Sequence, residues 1–223
     1  MEVLKLGIDD AGRGPVIGPM ILSGCLMTPD VERELKNLGV KDSKQLTQKR
    51  REFLKKSILE KSISVSTNTT SPDEIEKSNG KGIKLNELEA IKAAKIINKL
   101  NDGKKKIQVI VDCPSVSIVK WRDYLKTKIT NLSNLDVVCE HKADVKHASV
   151  SAASVLAKLR REEEMDKLKQ KYGQDMGSGY PSDPSTVKFL KKNIQKYDKE
   201  GIFRKTWKTW KLAAAQSSQM KLS

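Results

Sequence analysis

Residues 3–27 read VLKLGIDDAGRGPVIGPMILSGCLM, and the fold class follows from how this stretch is punctuated. From Val3 to Ile8 apolar and polar residues partly alternate, the period of a strand. The run stops at Asp9-Asp10-Ala11-Gly12-Arg13-Gly14, a turn-forming segment. A second apolar run, Val16 to Met27, is broken by Gly18-Pro19 and pairs naturally with the first. Further along, Ile107–Val111 is rich in β-branched residues, as in a buried strand, and ends at Asp112-Cys113-Pro114. Asp136–Glu140 repeats that pattern, and Ser62–Thr67 alternates like a strand.

Helical segments lie between. Pro29 opens a short helix to Leu38. Thr47–Lys61 is basic and amphipathic, with Phe53, Leu54 and Ile58 expected on one side. Ser71-Pro72-Asp73-Glu74 opens another helix, with Ser71 as N-cap and Pro72 at the first position. Leu85–Leu100 carries Leu88, Ile91, Ala94 and Ile97 at helical spacing. Helices are also expected over Ser117–Leu132, over Ala148–Tyr172, and in short pieces near Pro184–Lys192 and Phe203–Ala214. Strands first, then strands alternating with helices, predict an α/β domain around a mixed sheet.

The chain has 223 residues, enough for one domain with a modest appendage. Its 43 basic and 28 acidic residues leave a net charge of +15, which favours a polyanionic partner such as a nucleic-acid backbone. Aromatic residues are only 4 %, too few for single-strand binding through many stacking platforms. Three cysteines, Cys25, Cys113 and Cys139, have no metal-site spacing and read as reduced and buried. The first residues run into charge too soon for a secretory signal, and no apolar run reaches the ~18 residues of a membrane span. The expectation is a soluble, cytoplasmic protein with no membrane partner.

Four aspartates stand where chemistry is done in α/β sheets. Asp9 and Asp10 end the first strand, Asp112 ends the Ile107–Val111 strand, and Asp144 lies between the Asp136–Glu140 strand and the long helix. Loops at such strand ends converge on one crevice. Carboxylates gathered there repel one another unless a cation neutralises them, and all-oxygen donors favour Mg2+ or Mn2+ over zinc. Two such ions roughly 4 Å apart suit an in-line displacement at phosphorus. Taken singly, each aspartate is as well explained by a turn or an N-cap; the pattern gains weight only because several coincide.

Other motifs are weaker alone. Gly12-Arg13-Gly14 lets a backbone approach a ligand closely, yet is also an ordinary tight turn, and no P-loop is present. Lys41-Asp42-Ser43-Lys44 could clamp phosphates or be a solvated helix entry. Gly179-Tyr180-Pro181 holds an aromatic in a rigid loop, where it could stack on a sugar or base or simply pack. Ser149, Ser151 and Ser154 sit at the start of the long helix, where capping is the simpler role. His141 and His147 flank Asp144 without completing a zinc site. Trp207 and Trp210 read as packing residues of the last helix.

Together these segments resemble the ribonuclease HII family, the type 2 ribonucleases H. Asp9-Asp10-Ala11-Gly12-Arg13-Gly14-Pro15-Val16-Ile17-Gly18-Pro19 resembles its N-terminal signature. Lys41-Asp42-Ser43-Lys44, Leu85-Asn86-Glu87-Leu88-Glu89, Val111-Asp112, His141-Lys142-Ala143-Asp144 and Ser151–Lys158 follow in family order. Gly177-Ser178-Gly179-Tyr180-Pro181-Ser182-Asp183-Pro184 and Arg204-Lys205-Thr206-Trp207-Lys208 look like its archaeal branch. The matches span residues 7 to 208.

The resemblance implies a ribonuclease H-like fold: a central mixed five-stranded sheet flanked by helices, with a catalytic domain over residues 1–183 and a helical C-terminal extension over residues 184–223. It implies an endoribonuclease that hydrolyses the RNA strand of RNA/DNA hybrids, and cuts 5′ of single ribonucleotides embedded in duplex DNA, with two divalent ions, Mg2+ or Mn2+, leaving a 3′-hydroxyl and a 5′-phosphate. Asp9, Asp10, Asp112 and Asp144 take the positions of the family's metal-binding acidic residues. Gly12, Arg13 and Gly14 take those of the turn that senses the ribose 2′-hydroxyl, Tyr180 that of the tyrosine stacking at the RNA–DNA junction, and Lys44 that of a phosphate-contacting lysine. A monomer is expected, with a replication protein as an unproven partner. One departure stands out: the family's second acidic residue is usually Glu, and here it is Asp10, whose oxygens lie one methylene further back. The alternatives are a catalytically weakened nucleic-acid-binding relative of the same fold and a DNA-specific nuclease.

Overall fold

The computed structural model describes residues 2–40 and 47–219. In chain order the elements are β1 (Leu4–Ala11), β2 (Met20–Met27), α1 (Pro29–Asn37), α2 (Gln48–Lys61), β3 (Ser64–Thr70), α3 (Pro72–Gly80), α4 (Leu85–Leu100), β4 (Ile107–Asp112), α5 (Ile118–Lys126), β5 (Leu135–Glu140), α6 (Ala143–Lys146), α7 (Ala148–Tyr172), α8 (Pro184–Asn193) and α9 (Lys208–Gln219). The chain forms two compact units. One comprises Met1–Ala11, Ile21–Asn68 and Lys84–Leu159; the other comprises Gly12–Met20, Thr69–Ile83 and Arg160–Ser223.

The first unit is built on a five-stranded sheet in the order β3-β2-β1-β4-β5. β1 runs antiparallel to β2 and parallel to β4, and β4 is parallel to β5. The mixed, helix-flanked sheet expected from the sequence is therefore present, and the C-terminal region is helical. Central β1 and β4 bury Leu6, Ile8, Val109, Ile110 and Val111, each worth roughly 1.5–3 kcal/mol of transfer free energy. Gly7 marks where α7 crosses the sheet: a Cβ there would overlap the Ser149 carbonyl and the Val150 amide. The start of α7 is tied to α1, because Glu32 Oε1 accepts from the Ser149 N–H at 3.1 Å and from its hydroxyl at 2.7 Å.

Local chemistry sets most element boundaries. The Thr28 hydroxyl caps α1 by accepting from Val31 N, and Thr47 caps α2 by accepting from Arg50 N. Expectations change at α5 and α2. α5 stops at Lys126 rather than near Leu132, because Asn98 takes over the following backbone: its Oδ1 accepts from Thr130 N at 2.9 Å and its Nδ2 donates to Lys128 O at 3.1 Å. On α2 only Leu54 and Ile58, four residues apart, are buried; Phe53 is 53 % exposed beneath the Arg50 guanidinium.

The second unit gathers Val16, Ile17, Met165, Met176, Phe189, Leu190, Ile194, Ile202 and Phe203 into one core, with Trp207 and Trp210 packed against it. Val16–Pro19, expected to be part of the second strand, lies here instead: Ile17 makes an isolated bridge to Phe203, and Val16 N donates to Gly179 O at 2.8 Å. Ser71 caps α3 through Glu74 N with Pro72 in the first turn, and Asp183 caps α8 through Ser185 N at 2.9 Å.

Candidate active site

In the first unit the parallel register of β1 and β4 sets Asp112 beside Asp9. Ile8 lies opposite Val111, so Asp9 and Asp112 follow at the C-terminal ends of adjacent strands. Asp9 is 6 % exposed, and its carboxyl is held well above the usual range, first by burial, then by the negative charge of Asp10, with Asp112 adding to it. Opposing these are hydrogen bonds from the Ser154 hydroxyl of α7 and from Asp10 N, the latter at 2.7 Å. Ser154, which the sequence explains as a helix-start serine, thus touches the central carboxylate.

Asp112 Oδ1 accepts from Ala143 N at 2.8 Å. That bond fixes the entry to α6, on which the next residue, Asp144, is buried. Lys142 reaches the helix through a left-handed conformation, φ 56°, the only positive φ outside glycine among the described residues. The histidines are engaged locally: His141 Nδ1 contacts Cys113 O at 3.0 Å and His147 Nε2 contacts Glu140 Oε1 at 2.6 Å. Glu140, opposite Asp112 in the sheet, is held below the usual carboxylate range chiefly by its hydrogen bond from Lys146.

The donor chemistry fits a hard divalent cation. Acidic side chains that repel one another at the ends of adjacent parallel strands are relieved by a positive ion, and the ligands offered are oxygens. The set is not a finished cage: among the described residues no three of His, Cys, Asp and Glu stand as a group that would hold an ion as placed. The hydrogen bonds just named hold Asp9 and Asp112 to the protein backbone and to Ser154. Asp9, Asp10, Asp112 and Asp144 would be the residues to close on the ion.

The second unit contains the turn and the tyrosine loop. Gly12 is buried, Arg13 half-buried and Gly14 exposed. The guanidinium of the fully buried Arg204 holds the carbonyl side of this turn: Nη2 donates to Gly12 O at 2.6 Å, Nη1 to Arg13 O at 2.7 Å, and Nη2 and Nε to Gly18 O at 2.9 and 3.1 Å. Trp207 Nε1 donates to Gly14 O at 3.1 Å. In a planar trans peptide the N–H points opposite to the carbonyl. With the carbonyls of Gly12 and Arg13 turned toward Arg204, the N–H groups of Arg13 and Gly14 face the other way, as a receptor for a hydroxyl or phosphate oxygen requires. Gly14 lies against Tyr180, whose ring carbons stand 3.7 and 3.9 Å from where a Cβ would be. The loop bearing Tyr180 is fixed by Asp183, which accepts from Ser178 N at 2.6 Å, and by Thr186, which accepts from Gly179 N at 2.9 Å.

The sequence profile of ribonuclease HII matches residues 6–210. The chain belongs to the ribonuclease HII family. It is accordingly a hydrolytic nuclease. Ribonuclease HII from Methanocaldococcus jannaschii is 42 % identical over 230 residues, covering 99 % of both chains. The crystal structure of ribonuclease H2 from Pyrococcus horikoshii OT3 superimposes with a TM-score of 0.86 at 35 % identity, over 99 % of this chain and 100 % of that one. A ribonuclease HII from Archaeoglobus fulgidus, solved in complex with PCNA, gives 0.80 at 38 % identity over 92 % and 96 %.

Arg204 is a residue whose role the sequence does not announce. It was visible only as part of an archaeal-looking motif; nothing in its neighbours announces that it meets a turn some 190 residues earlier. Lys44, the expected phosphate contact, lies outside the described residues. Asp10, the residue at which the sequence departs from the expected pattern, is half-buried beside Asp9. Among the described residues no helix is long and apolar enough to cross a membrane.

Proposed function

We propose that this chain hydrolyses the RNA strand of RNA/DNA hybrids and cuts on the 5′ side of a ribonucleotide embedded in duplex DNA, leaving a 3′-hydroxyl and a 5′-phosphate. The observation that carries the proposal is Asp9, buried and pressed by the charges of Asp10 and Asp112 at the ends of neighbouring strands. Two divalent cations, Mg2+ or Mn2+, would supply charge neutralisation and an activated water. The chain's part is to hold them. Asp9 offers the central ligand, Asp10 and Asp112 flank it, and Asp144 completes the set from α6. Ser154 and the Ala143 N–H orient Asp9 and Asp112.

The ribose would be read by the turn that follows Asp10 in the chain: the N–H groups of Arg13 and Gly14 receive the 2′-hydroxyl, and Tyr180 stacks on the sugar at the RNA–DNA junction. Lys44 is proposed, from its motif alone, to contact a phosphate. Exposed Lys49, Arg50 and Lys56 of α2 would grip the duplex backbone, so affinity should fall steeply with salt. PCNA, the partner in the Archaeoglobus fulgidus complex, is the protein partner this reading admits.

The test is cleavage of a duplex carrying one ribonucleotide, with Mg2+, with Mn2+ and with chelator, mapped to the phosphate, beside an all-DNA duplex. The expected result is a metal-dependent cut 5′ of the ribonucleotide and none in the all-DNA duplex. Equal cutting of both duplexes would establish a DNA nuclease; binding without product under either metal would establish a weakened relative.

A further inference from the structure

The mechanism above does not use Arg161, on α7. Its surroundings are unusual for a helix-surface arginine. Its guanidinium lies over the Tyr180 ring, 4.8 Å from the centroid. Its Nη2 donates to Ser178 O at 2.7 Å, two residues before that tyrosine. Its stem runs directly beneath the turn: a Cβ at Gly12 would stand 2.5 Å from Arg161 Cδ and 2.6 Å from its Nε. The same guanidinium closes under the loop glycine, with Nη2 3.4 Å from a Cβ placed on Gly179. Its Nε is buried and has no hydrogen-bond partner.

A cation placed this way is costly to bury, and burial lowers its proton affinity. A side chain needed only to fill space would be apolar. What the arginine adds is a rigid planar group touching two segments at once, the tyrosine loop on one side and the glycine turn on the other. Gly12 must be glycine for this approach, since its φ is +80° and any side chain would strike Arg161.

We propose that Arg161 is a positioning residue for ribonucleotide recognition, setting the spacing between Tyr180 and the Gly12-Arg13-Gly14 turn; this rests on the proposed function above. Arg161 touches no substrate atom. It fixes the tilt of the Tyr180 ring from beneath by the cation–π contact, holds Ser178 so that the loop cannot swing away, and keeps its stem as the floor of the turn. A ribose gripped between a hydroxyl receptor and a stacking ring tolerates little error in that spacing. A displacement of about 1 Å can cost on the order of 100-fold in rate.

The experiment is a double-mutant cycle on the full chain, using Arg161→Met, Tyr180→Ala and the double variant. It reads kcat/KM on a duplex with one embedded ribonucleotide, with folding checked by circular dichroism. Arg161→Met should lose roughly 10- to 100-fold. The double variant should be no worse than about threefold below the weaker single variant, because the arginine acts through the tyrosine and the turn. Arg161→Lys, which keeps a cation and a stem but not the plane, should fall between parent and Met.

Losses that multiply in the double variant, or an Arg161→Met enzyme with parental kcat/KM, would overturn the positioning role. Should Arg161→Met fail to fold, the cycle is run with Arg161→Lys, and losses that multiply there overturn it equally. Full activity of Tyr180→Ala would instead strike the assignment of Tyr180 in the proposed function. A loss in Tyr180→Ala with none in Arg161→Met removes the bracing role alone.

Discussion

Replacing Arg204 by Met should destabilise the second unit by about 3–5 kcal/mol. The guanidinium makes four hydrogen bonds to the carbonyls of Gly12, Arg13 and Gly18. Met retains much of the stem volume but donates nothing, so three buried or half-buried carbonyls lose a partner. Each buried acceptor left unsatisfied costs roughly 1–3 kcal/mol. Part of that is returned because a desolvated cation is no longer buried, which brings the sum to the stated range. A substitution that altered packing alone would cost less than about 1.5 kcal/mol, so the two accounts are separable. Urea unfolding is the assay, with Trp207 and Trp210 fluorescence reporting on the second unit and Trp121 on the first. The expected loss is a large part of the roughly 5–15 kcal/mol by which domains are stable, and should lower the melting temperature by about 6–20 °C. A loss below about 1.5 kcal/mol, with an unchanged denaturant slope, would refute the view that Arg204 holds the turn by its carbonyls.

Three more outcomes follow from other positions. Asp9→Asn removes a buried carboxylate that Asp10 and Asp112 repel; it should abolish cleavage yet melt no lower than the parent in chelator, and lose the parent's stabilisation by excess Mn2+, which thermal melts would decide. A melting point below the parent's in chelator would show that the aspartate is structural. Gly7→Ala should cost at least about 2–3 kcal/mol by denaturant midpoint, since a Cβ would meet the Ser149–Val150 backbone of α7 rather than a movable side chain; a neutral result would mean that the helix shifts freely on the sheet. Asp183 is depressed to about 2, chiefly by backbone and side-chain hydrogen bonds from Ser178, so its stabilisation is fully present above the ordinary carboxylate value near 4 and is lost as pH falls through about 2. The stability gap between parent and Asp183→Asn should therefore be widest above pH 4 and close near pH 2; parallel curves would contradict the depressed pKa.

The sequence by itself determined the strands, most of the helices and the acidic residues worth testing. Apolar periodicity marks what can be buried, and Asp9, Asp10, Asp112 and Asp144 are recognisable because each ends a strand or enters a helix. Ser71-Pro72 announced α3 because capping is local chemistry, settled within four residues. Tertiary structure alone decided which polar group meets which. That β4 lies beside β1, setting Asp112 next to Asp9, is a matter of strand order, and that Ser154 rather than Ser149 touches Asp9 depends on how α7 crosses Gly7. Arg204 and Arg161 look in the sequence like any of the 43 basic residues. Only the folded chain turns one against the carbonyls of Gly12, Arg13 and Gly18 and the other beneath Tyr180, because a long side chain's partner is fixed by the packing of segments far apart in sequence, and local pattern carries no record of it.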